Sequence, residues 1–304
     1  MSKNNTIFML RMLVLRRSLK GSDKLSEYVK SPLNYVGGKY KILPQIIPLF
    51  PKDMTSFLDL FGGGANVSVN VKANQIIYND NNTQVVEILK TIKEISTEDA
   101  LKYIDSLIQE YNLSKENADG FLKLRSDYNK SENKNPLMLY TIICYAFNYQ
   151  IRFNSKGEYN MPFGKNRSSF SPVLREKFIR FSEELHNKLI LFYNSDFRGY
   201  DSMKASRKGF IYCDPLYLNS TATYNEQDGW TEKDENDLRT MLKSWSVQGL
   251  KWGLSNNIAI NTTLADWANE NRYNIHYINN SYGNSNYHKK DKSDKDIKVL
   301  ITNY

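Results

Sequence analysis

Apolar and polar positions between Ser56 and Asp80 follow a compact plan. Ser56-Phe57-Leu58-Asp59-Leu60-Phe61 is an apolar run too short for a helix, and predicts a buried strand. Gly62-Gly63-Gly64 interrupts it, and Ala65 to Ala73 continues with helical spacing. Gln75-Ile76-Ile77-Tyr78-Asn79-Asp80 then predicts a second strand ending on an acid. Strand, glycine turn, helix, strand, acid is the opening of a doubly wound sheet. Upstream, Ile42 to Phe50 has helical apolar spacing and is closed by Pro51.

From about Thr83 to Leu189 the pattern is mainly helical. Val85 to Ile95, Asp99 to Tyr111 and Asn117 to Tyr128 each repeat apolar residues three and four positions apart. One stretch breaks that rule. Gln150-Ile151-Arg152-Phe153-Asn154 and Glu158-Tyr159-Asn160-Met161 alternate polar and apolar residues around Ser155-Lys156-Gly157, which predicts a β-hairpin. Pro162-Phe163-Gly164 ends it. Strands are expected again at Leu189 to Tyr193, Phe210 to Cys213, Lys251 to Leu254, Tyr273 to Ile278 and Lys298 to Thr302. Glu232 to Trp245 predicts a helix with Thr231 as its N-cap. The fold class is therefore α/β, with the sheet residues at 31–82 and 190–304 separated by a mainly helical insertion at 83–189. Residues 1–30, which include the apolar and basic run Phe8 to Arg17, are expected to form a poorly ordered extension.

Composition narrows the classes. The chain has 304 residues, 40% of them hydrophobic, enough to bury a core. Lys and Arg number 41 against 33 Asp and Glu, a net charge of +8 that suits a polyanionic partner. Cys144 and Cys213 lie in separate apolar runs and read as buried free thiols of a reducing compartment. His186, His276 and His288 show no ligand spacing, so no metal site is expected. No apolar run approaches the ~18–20 residues that span a bilayer.

Candidate chemistry gathers at strand ends. Asp214-Pro215-Leu216-Tyr217 follows the run Gly209 to Cys213. A carboxylate and a carbonyl can accept hydrogen bonds from an amino group, while an aromatic ring stacks on a flat base. Asp-Pro after a strand is also an ordinary turn. The side-chain-free turn Gly62-Gly63-Gly64 lets a ligand approach the backbone. It is neither G-x-G-x-x-G nor a P-loop, which argues against a nicotinamide-binding or phosphate-cradling site. Asp80 stands at the tip of the next strand, where an acid ~20 residues after a glycine turn can hold a ribose diol. It can equally cap the helix after Asn82. Tyr35-Val36-Gly37-Gly38-Lys39 is a second glycine turn between an aromatic and a cation. Tyr35 suits a sulfonium by cation–π attraction, and Lys39 either pairs with a ligand carboxylate or is solvated.

Together, and in this order, the motifs resemble those of the Dam-like (D12 class, alpha-type) N6-adenine DNA methyltransferases. Pro32 to Lys39 resembles their N-terminal cofactor motif, Phe57 to Gly64 their glycine motif, Tyr78-Asn79-Asp80 their ribose-acid motif and Asp214 to Tyr217 their catalytic D-P-P-Y. Arg152 to Gly164 is similar to their recognition hairpin, and Val299 to Tyr304 to their closing strand. The resemblance runs from about residue 31 to the C-terminus. It implies a Rossmann-like S-adenosylmethionine-dependent methyltransferase sheet with a target-recognition insertion, and a cytoplasmic, bacterial or phage-encoded enzyme methylating adenine N6 in double-stranded DNA. A cognate restriction endonuclease is a further implied partner, and a monomer is the expected state.

The resemblance also distributes roles. Asp214 and the Pro215 carbonyl would accept from the N6 amine, and Tyr217 would stack on the extruded base. Tyr35, Gly37, Gly38 and Lys39 would line the methionine end of the cofactor, near Asp59, Phe61 and Gly62 to Gly64. Asp80 would take the ribose. Asp196 and Phe197 would take the cofactor adenine, Phe197 being equally suited to core packing. Arg152 would read guanine, with Asn148, Tyr149, Gln150 and Asn154 beside it. Lys165, Arg167, Lys289 and Lys290, with His288 and Lys292, would meet phosphates, and Tyr224 would help hold the DNA or the base. The family points to GATC, but Tyr149-Gln150-Ile151 alters the approach to Arg152.

Two departures stand out. Leu216 replaces the second proline of D-P-P-Y, which frees one φ angle and adds a backbone N–H. A slower but active enzyme is expected, with a catalytically weakened DNA-binding homologue as the alternative. Methylation of an RNA adenine or of cytosine N4 also fits an Asp-Pro-x-Tyr group. Lys298 stands where the family often has an acid, a change the sequence does not explain.

Overall fold

The computed structural model describes residues 27–35, 37–200, 208–218, 229–279 and 297–304. Most of the expected 1–30 extension lies outside them. The first regular segment is broken: a 3-10 turn at Tyr40–Ile42, helix α1 (Leu43–Ile46) and a second 3-10 turn at Ile47–Leu49 replace the single helix expected over Ile42 to Phe50. Pro44 and Pro48 account for this, since each lacks an N–H and crowds the preceding turn.

Strand β1 (Ser56–Asp59) leads through the glycine turn to β2 (Gln75–Asn79). The intervening stretch Ala65 to Ala73, expected as a helix, is instead a set of turns. Val69 N–H and Val71 N–H do donate to the carbonyls of Ala65 and Val67, both at 3.0 Å, but no continuous helix forms. Val67, Val69 and Val71 are β-branched and stiff, and the polar side chains between them serve long-range bonds. Asn66 Oδ1 accepts from Ser31 N–H at 3.0 Å, while Asn70 accepts from Val29 N–H and donates to Val29 O, each at 2.7 Å. This buried plug ties the strap of residues 29–35 to the glycine turn.

Helices α2 (Thr83–Glu94), α3 (Thr97–Glu110), α4 (Ala118–Lys130), α5 (Pro136–Tyr145) and α6 (Pro172–His186) follow. Asn82, Ser96, Asn117, Asn135 and Ser171 cap them, each side chain accepting from an N–H of the first turn. Between α5 and α6 the expected hairpin is present in reduced form, as isolated antiparallel bridges Phe153–Tyr159 and Ala146–Phe163. The chain then enters β3 (Ile190–Tyr193), β4 (Gly209–Cys213), helix α7 (Glu232–Val247), β5 (Lys251–Asn257), helix α8 (Thr263–Glu270), β6 (Asn274–Ile278) and β7 (Lys298–Thr302).

The strands make one seven-stranded sheet in the order β3-β2-β1-β4-β5-β7-β6. The first five are parallel, and β7 runs antiparallel between β5 and β6. Neighbouring residues face opposite layers. Phe57, Ile76, Tyr78, Phe210 and Tyr212 pack into one core with α2 to α6, while Leu58, Ile77, Ile211 and Cys213 pack into another with α7 and α8. Both faces are thus covered, which is why the parallel strands read as continuous apolar runs. Among the described residues no helix is long and apolar enough to cross a membrane.

Candidate active site

The order of the sheet reverses between β1 and β4, so a crevice opens beyond their C-terminal ends. Three acids are delivered there by register. Asp59 ends β1, opposite Tyr78 of β2 and Tyr212 of β4. Asp80 and Asp214 each stand two positions further along those flanking strands. Together they border a cavity of about 450 Å³, within the ordinary range for small-ligand sites. Every residue assigned above to catalysis or the cofactor lines this cavity: Asp214 to Tyr217, Tyr35, Gly37 to Lys39, Asp59, Phe61, Gly62 to Gly64, Asp80, Asp196 and Phe197.

The glycine turn is held from both sides. A Cβ on Gly62 would lie 2.1 Å from the Tyr78 ring, and one on Gly63 2.8 Å from the Tyr35 ring, with φ at +49°. Tyr78 Oη donates to Gly63 O at 2.6 Å, and Gly63 N–H donates to Asp80 Oδ2 at 2.8 Å. Asp80 Oδ1 also accepts from Asn82 N–H at 2.8 Å. Asp80 therefore steadies both the turn and the start of α2, and its oxygens keep acceptor capacity for a ligand hydroxyl.

Burial raises the pKa of all three acids. Asp59, 1% exposed, is pushed up to about 7, mainly by burial; Asp214 and Asp80 add to this, and the Ser68 hydroxyl, donating at 2.6 Å, opposes it. Asp80 is raised by burial and partly relieved by the N–H groups of Asn82 and Gly63. Asp214 is raised by burial and pulled back by Lys39 and, more weakly, Lys298. The Lys298 charge thus acts on the acid of the D-P-L-Y tetrapeptide, a connection that sequence position alone does not reveal.

Lys39 borders the cavity and is buried, not solvated. Its Nζ lies 2.5 Å from Asp214 Oδ1, donates to Gly37 O at 2.9 Å and sits 5.6 Å from the centre of the Tyr217 ring. The ammonium faces a carboxylate of the chain itself. Leu216 stands at the cavity wall with 42% of its surface exposed, and Pro215 is buried.

Asp196 borders the cavity, but its carboxylate caps the 3-10 turn Phe197–Gly199 and pairs with Arg198. Arg198 also binds Asp234 and Asp237, fastening this turn to the start of α7. Phe197 both packs in the core and lines the cavity, 5.4 Å from the ring centres of Phe61 and Trp230. Trp230 was missed by sequence reasoning. Its Nε1–H donates to the buried Glu235 at 2.9 Å. The only signal was an aromatic immediately before the N-cap Thr231. Asn66 and Asp234 were missed too, and they carried no motif at all.

None of the described DNA-side residues lines the cavity. Asn148 and Tyr149 occupy left-handed backbone conformations at φ 54° and 56°, and Gln150 follows them. Arg152 lies on the hairpin and donates across it, through Nε to Asn160 Oδ1 at 2.8 Å and through Nη2 to Asn160 O at 3.2 Å. Asn154 is committed to the hairpin turn, accepting from the N–H groups of Lys156 and Glu158. Lys165 is exposed, and Arg167 stacks 5.7 Å from the centre of the exposed Phe147 ring. Tyr224, His288, Lys289, Lys290 and Lys292 lie outside the described residues. Among the described residues no group of three His, Cys, Asp or Glu side chains is arranged to hold a metal ion.

A seven-stranded sheet of this order, with a glycine turn and an acid-lined cavity at its switch point, defines a Rossmann-like methyltransferase fold. Residues 35–293 match the sequence model of the family described as D12 class N6 adenine-specific DNA methyltransferase, and the chain belongs to that family. It is 45% identical over 292 residues to the type II methyltransferase M.FokI of Planomicrobium okeanokoites, covering 93% of this chain and 44% of that protein. It is 38% identical over 323 aligned positions to the modification methylase StsI of Streptococcus sanguinis, covering 100% of this chain and 49% of that one. The DNA adenine methylase of Escherichia coli (strain K12) is 27% identical over 196 residues, covering 64% of this chain and 66% of the relative. The chain thus spans about half the length of M.FokI and StsI.

Proposed function

We propose that this chain transfers a methyl group from S-adenosylmethionine to N6 of an adenine turned out of duplex DNA. The observation that carries the reading is that Asp214 and the glycine turn open on one cavity. The residues present suit the cofactor. The turn at Gly62 to Gly64 presents bare backbone, Asp80 retains acceptor capacity for a diol, and the surrounding acids favour a sulfonium over a neutral sulfur. Bound there, S-adenosylmethionine supplies an electrophilic methyl group.

The amino group of adenine is a weak nucleophile because its lone pair is delocalised into the ring. Asp214 and the Pro215 carbonyl accept hydrogen bonds from its two N–H groups and turn the lone pair outward, while Tyr217 stacks on the base, and the proton that N6 gives up on gaining a methyl group leaves to water. Alignment and electrostatic complementarity supply the catalysis, with no covalent enzyme intermediate. A stacked adenine cannot enter the cavity, so extrusion costs a few kcal/mol. The segment 83–189 acts as the DNA-reading region, with Arg152 and the turn at Asn148 and Tyr149 closest to the bases and Lys165 and Arg167 on phosphates. GATC is the first target sequence to test. The likeness to M.FokI and StsI, a type II methyltransferase and a modification methylase, supports a role in restriction-modification beside a cognate endonuclease.

A second reading rests on Leu216: a homologue that binds DNA and cofactor but transfers slowly or not at all. Methyl-labelled S-adenosylmethionine offered with duplex DNA, single-stranded DNA and RNA tests the main reading. Label should enter the duplex. Transfer to RNA alone, or to cytosine, would overturn the assignment of substrate, and cofactor binding without transfer would favour the second reading.

A further inference from the structure

We propose that Asn66 is a cofactor-binding residue whose side-chain amide donates to the carboxylate at the methionine end of S-adenosylmethionine. The inference rests on the reading of the cavity as a cofactor site, and adds to it a residue that no motif marked. Asn66 borders the cavity with 9% of its surface exposed. Its Oδ1 accepts from Ser31 N–H at 3.0 Å, which sets the direction of the amide, and its carbonyl accepts from Asn70 Nδ2 at 2.8 Å. Asn66 Nδ2 then faces the seam between the two glycine turns: a Cβ on Gly38 would lie 3.4 Å from it, and one on Gly64 3.6 Å. Among the described residues this N–H₂ group has no acceptor. Buried polar groups are ordinarily paired, so a donor left open at the wall of a cavity marks where an acceptor of the ligand belongs.

The rest of the cavity explains why that acceptor is a carboxylate. The cofactor carries a single anionic group. Asp59, Asp80 and Asp214 line the cavity at the ends of β1, β2 and β4, and each repels a carboxylate when ionised while suiting a hydroxyl or an amine. The seam beside Asn66 offers a neutral donor instead, and a ligand can reach it because neither Gly38 nor Gly64 carries a side chain. The amide is also held in advance. Ser31 fixes it from the strap and Asn70 from the plug below, so little freedom is lost when a ligand binds. A hydrogen bond to a charged acceptor is stronger than one between neutral groups. Loss of this donor is therefore felt by ligands that carry the carboxylate and not by those that lack it.

The test measures binding of two ligands to the full chain by calorimetry at pH 8: S-adenosylhomocysteine, and its decarboxylated analogue, which lacks only the carboxylate. Asn66→Asp keeps an acceptor for Ser31 N–H and replaces the donor with an anion. It should lose at least about tenfold in affinity for S-adenosylhomocysteine, and bind the analogue no more than about threefold more weakly than the parent does. If that variant does not fold, Asn66→Ala should narrow the parent's preference for the carboxylate-bearing ligand at least about fivefold, since the ratio of the two affinities cancels any general loosening of the strap. Equal losses for both ligands would show that Asn66 only holds the strap, and unchanged affinities would place the carboxylate elsewhere. Either result overturns the proposal. A parent that binds neither ligand would overturn the cofactor reading and this proposal with it. No DNA is present in these measurements. A parent that binds S-adenosylhomocysteine yet leaves DNA unmethylated would sink the activity proposed above, while the ratio of affinities still decides the role of Asn66.

Discussion

Asn34 Nδ2 donates a 2.8 Å hydrogen bond to the carbonyl of Asn148, across 114 positions of sequence. It joins the strap beside the cavity to the turn that opens the hairpin. That turn is costly to hold, because Asn148 and Tyr149 are consecutive non-glycine residues with positive φ. Tyr149 N–H to Ala146 O at 3.0 Å and Tyr159 Oη to Gln150 O at 2.6 Å complete its supports.

If this turn meets DNA, removing the Asn34 bond should be felt there first. Asn34→Ala is expected to weaken binding to target duplex about 2–10-fold, the worth of one hydrogen bond. Affinity for S-adenosylhomocysteine should stay unchanged. Fluorescence anisotropy and calorimetry give the two numbers. Equal losses in both would show that Asn34 supports the strap alone.

Gly62 and Gly63 should fail in different ways. A Cβ at Gly62 strikes the buried Tyr78 ring, so Gly62→Ala is expected to lower stability by about 3 kcal/mol or more through overpacking. Gly63→Ala meets Tyr35 at the cavity wall, and should weaken S-adenosylhomocysteine binding at least about tenfold with a smaller loss of stability. Thermal melts and calorimetry on both variants separate the effects. The reverse pattern would contradict the packing described.

The raised pKa of Asp59 has a definite sign. The folded state keeps a proton that the unfolded chain releases near pH 4, so stability falls as pH rises from about 4 to about 7, and levels off above. Three pKa units correspond to about 4 kcal/mol. Asp59→Asn, which keeps an acceptor for the Ser68 hydroxyl, should flatten part of that fall and raise the melting temperature at pH 8. Denaturant unfolding across this range provides the check, and an unchanged slope would count against a buried, proton-holding Asp59.

Leu216 is open to solvent at the cavity wall, so replacing it disturbs little packing. Leu216→Pro is expected to raise kcat several-fold over a measurable parent rate by stiffening the turn after Pro215. Steady-state methyl transfer decides this. A silent parent beside an active variant would identify Leu216 as a loss-of-activity substitution.

Much of the sheet was legible because its strands are short apolar runs that end at acids or turns. Phe57-Leu58 and Phe210-Ile211 are buried on both sides, and such runs announce themselves. Helices α2 to α4 showed amphipathic spacing. Helix α5 did not, since Leu137, Leu139, Tyr140, Ile142 and Ile143 are all buried and leave no polar face to mark a period. The Ala65 to Ala73 stretch misled for the opposite reason. Its spacing is helical, but β-branched residues and the bonds of Asn66 and Asn70 to the strap prevail. At the site, motif residues were readable because each closes a strand or turn. Trp230 and the partner of Lys39 were not, because both depend on how distant segments meet.

The most direct measurement is nucleoside mass spectrometry of duplex DNA treated with this protein and methyl-deuterated S-adenosylmethionine. Deuterated N6-methyladenine should form with the parent chain and be absent with Asp214→Ala, which should still bind S-adenosylhomocysteine. Undiminished N6-methyladenine from Asp214→Ala would contradict the central claim that this carboxylate and the glycine turn serve one reaction.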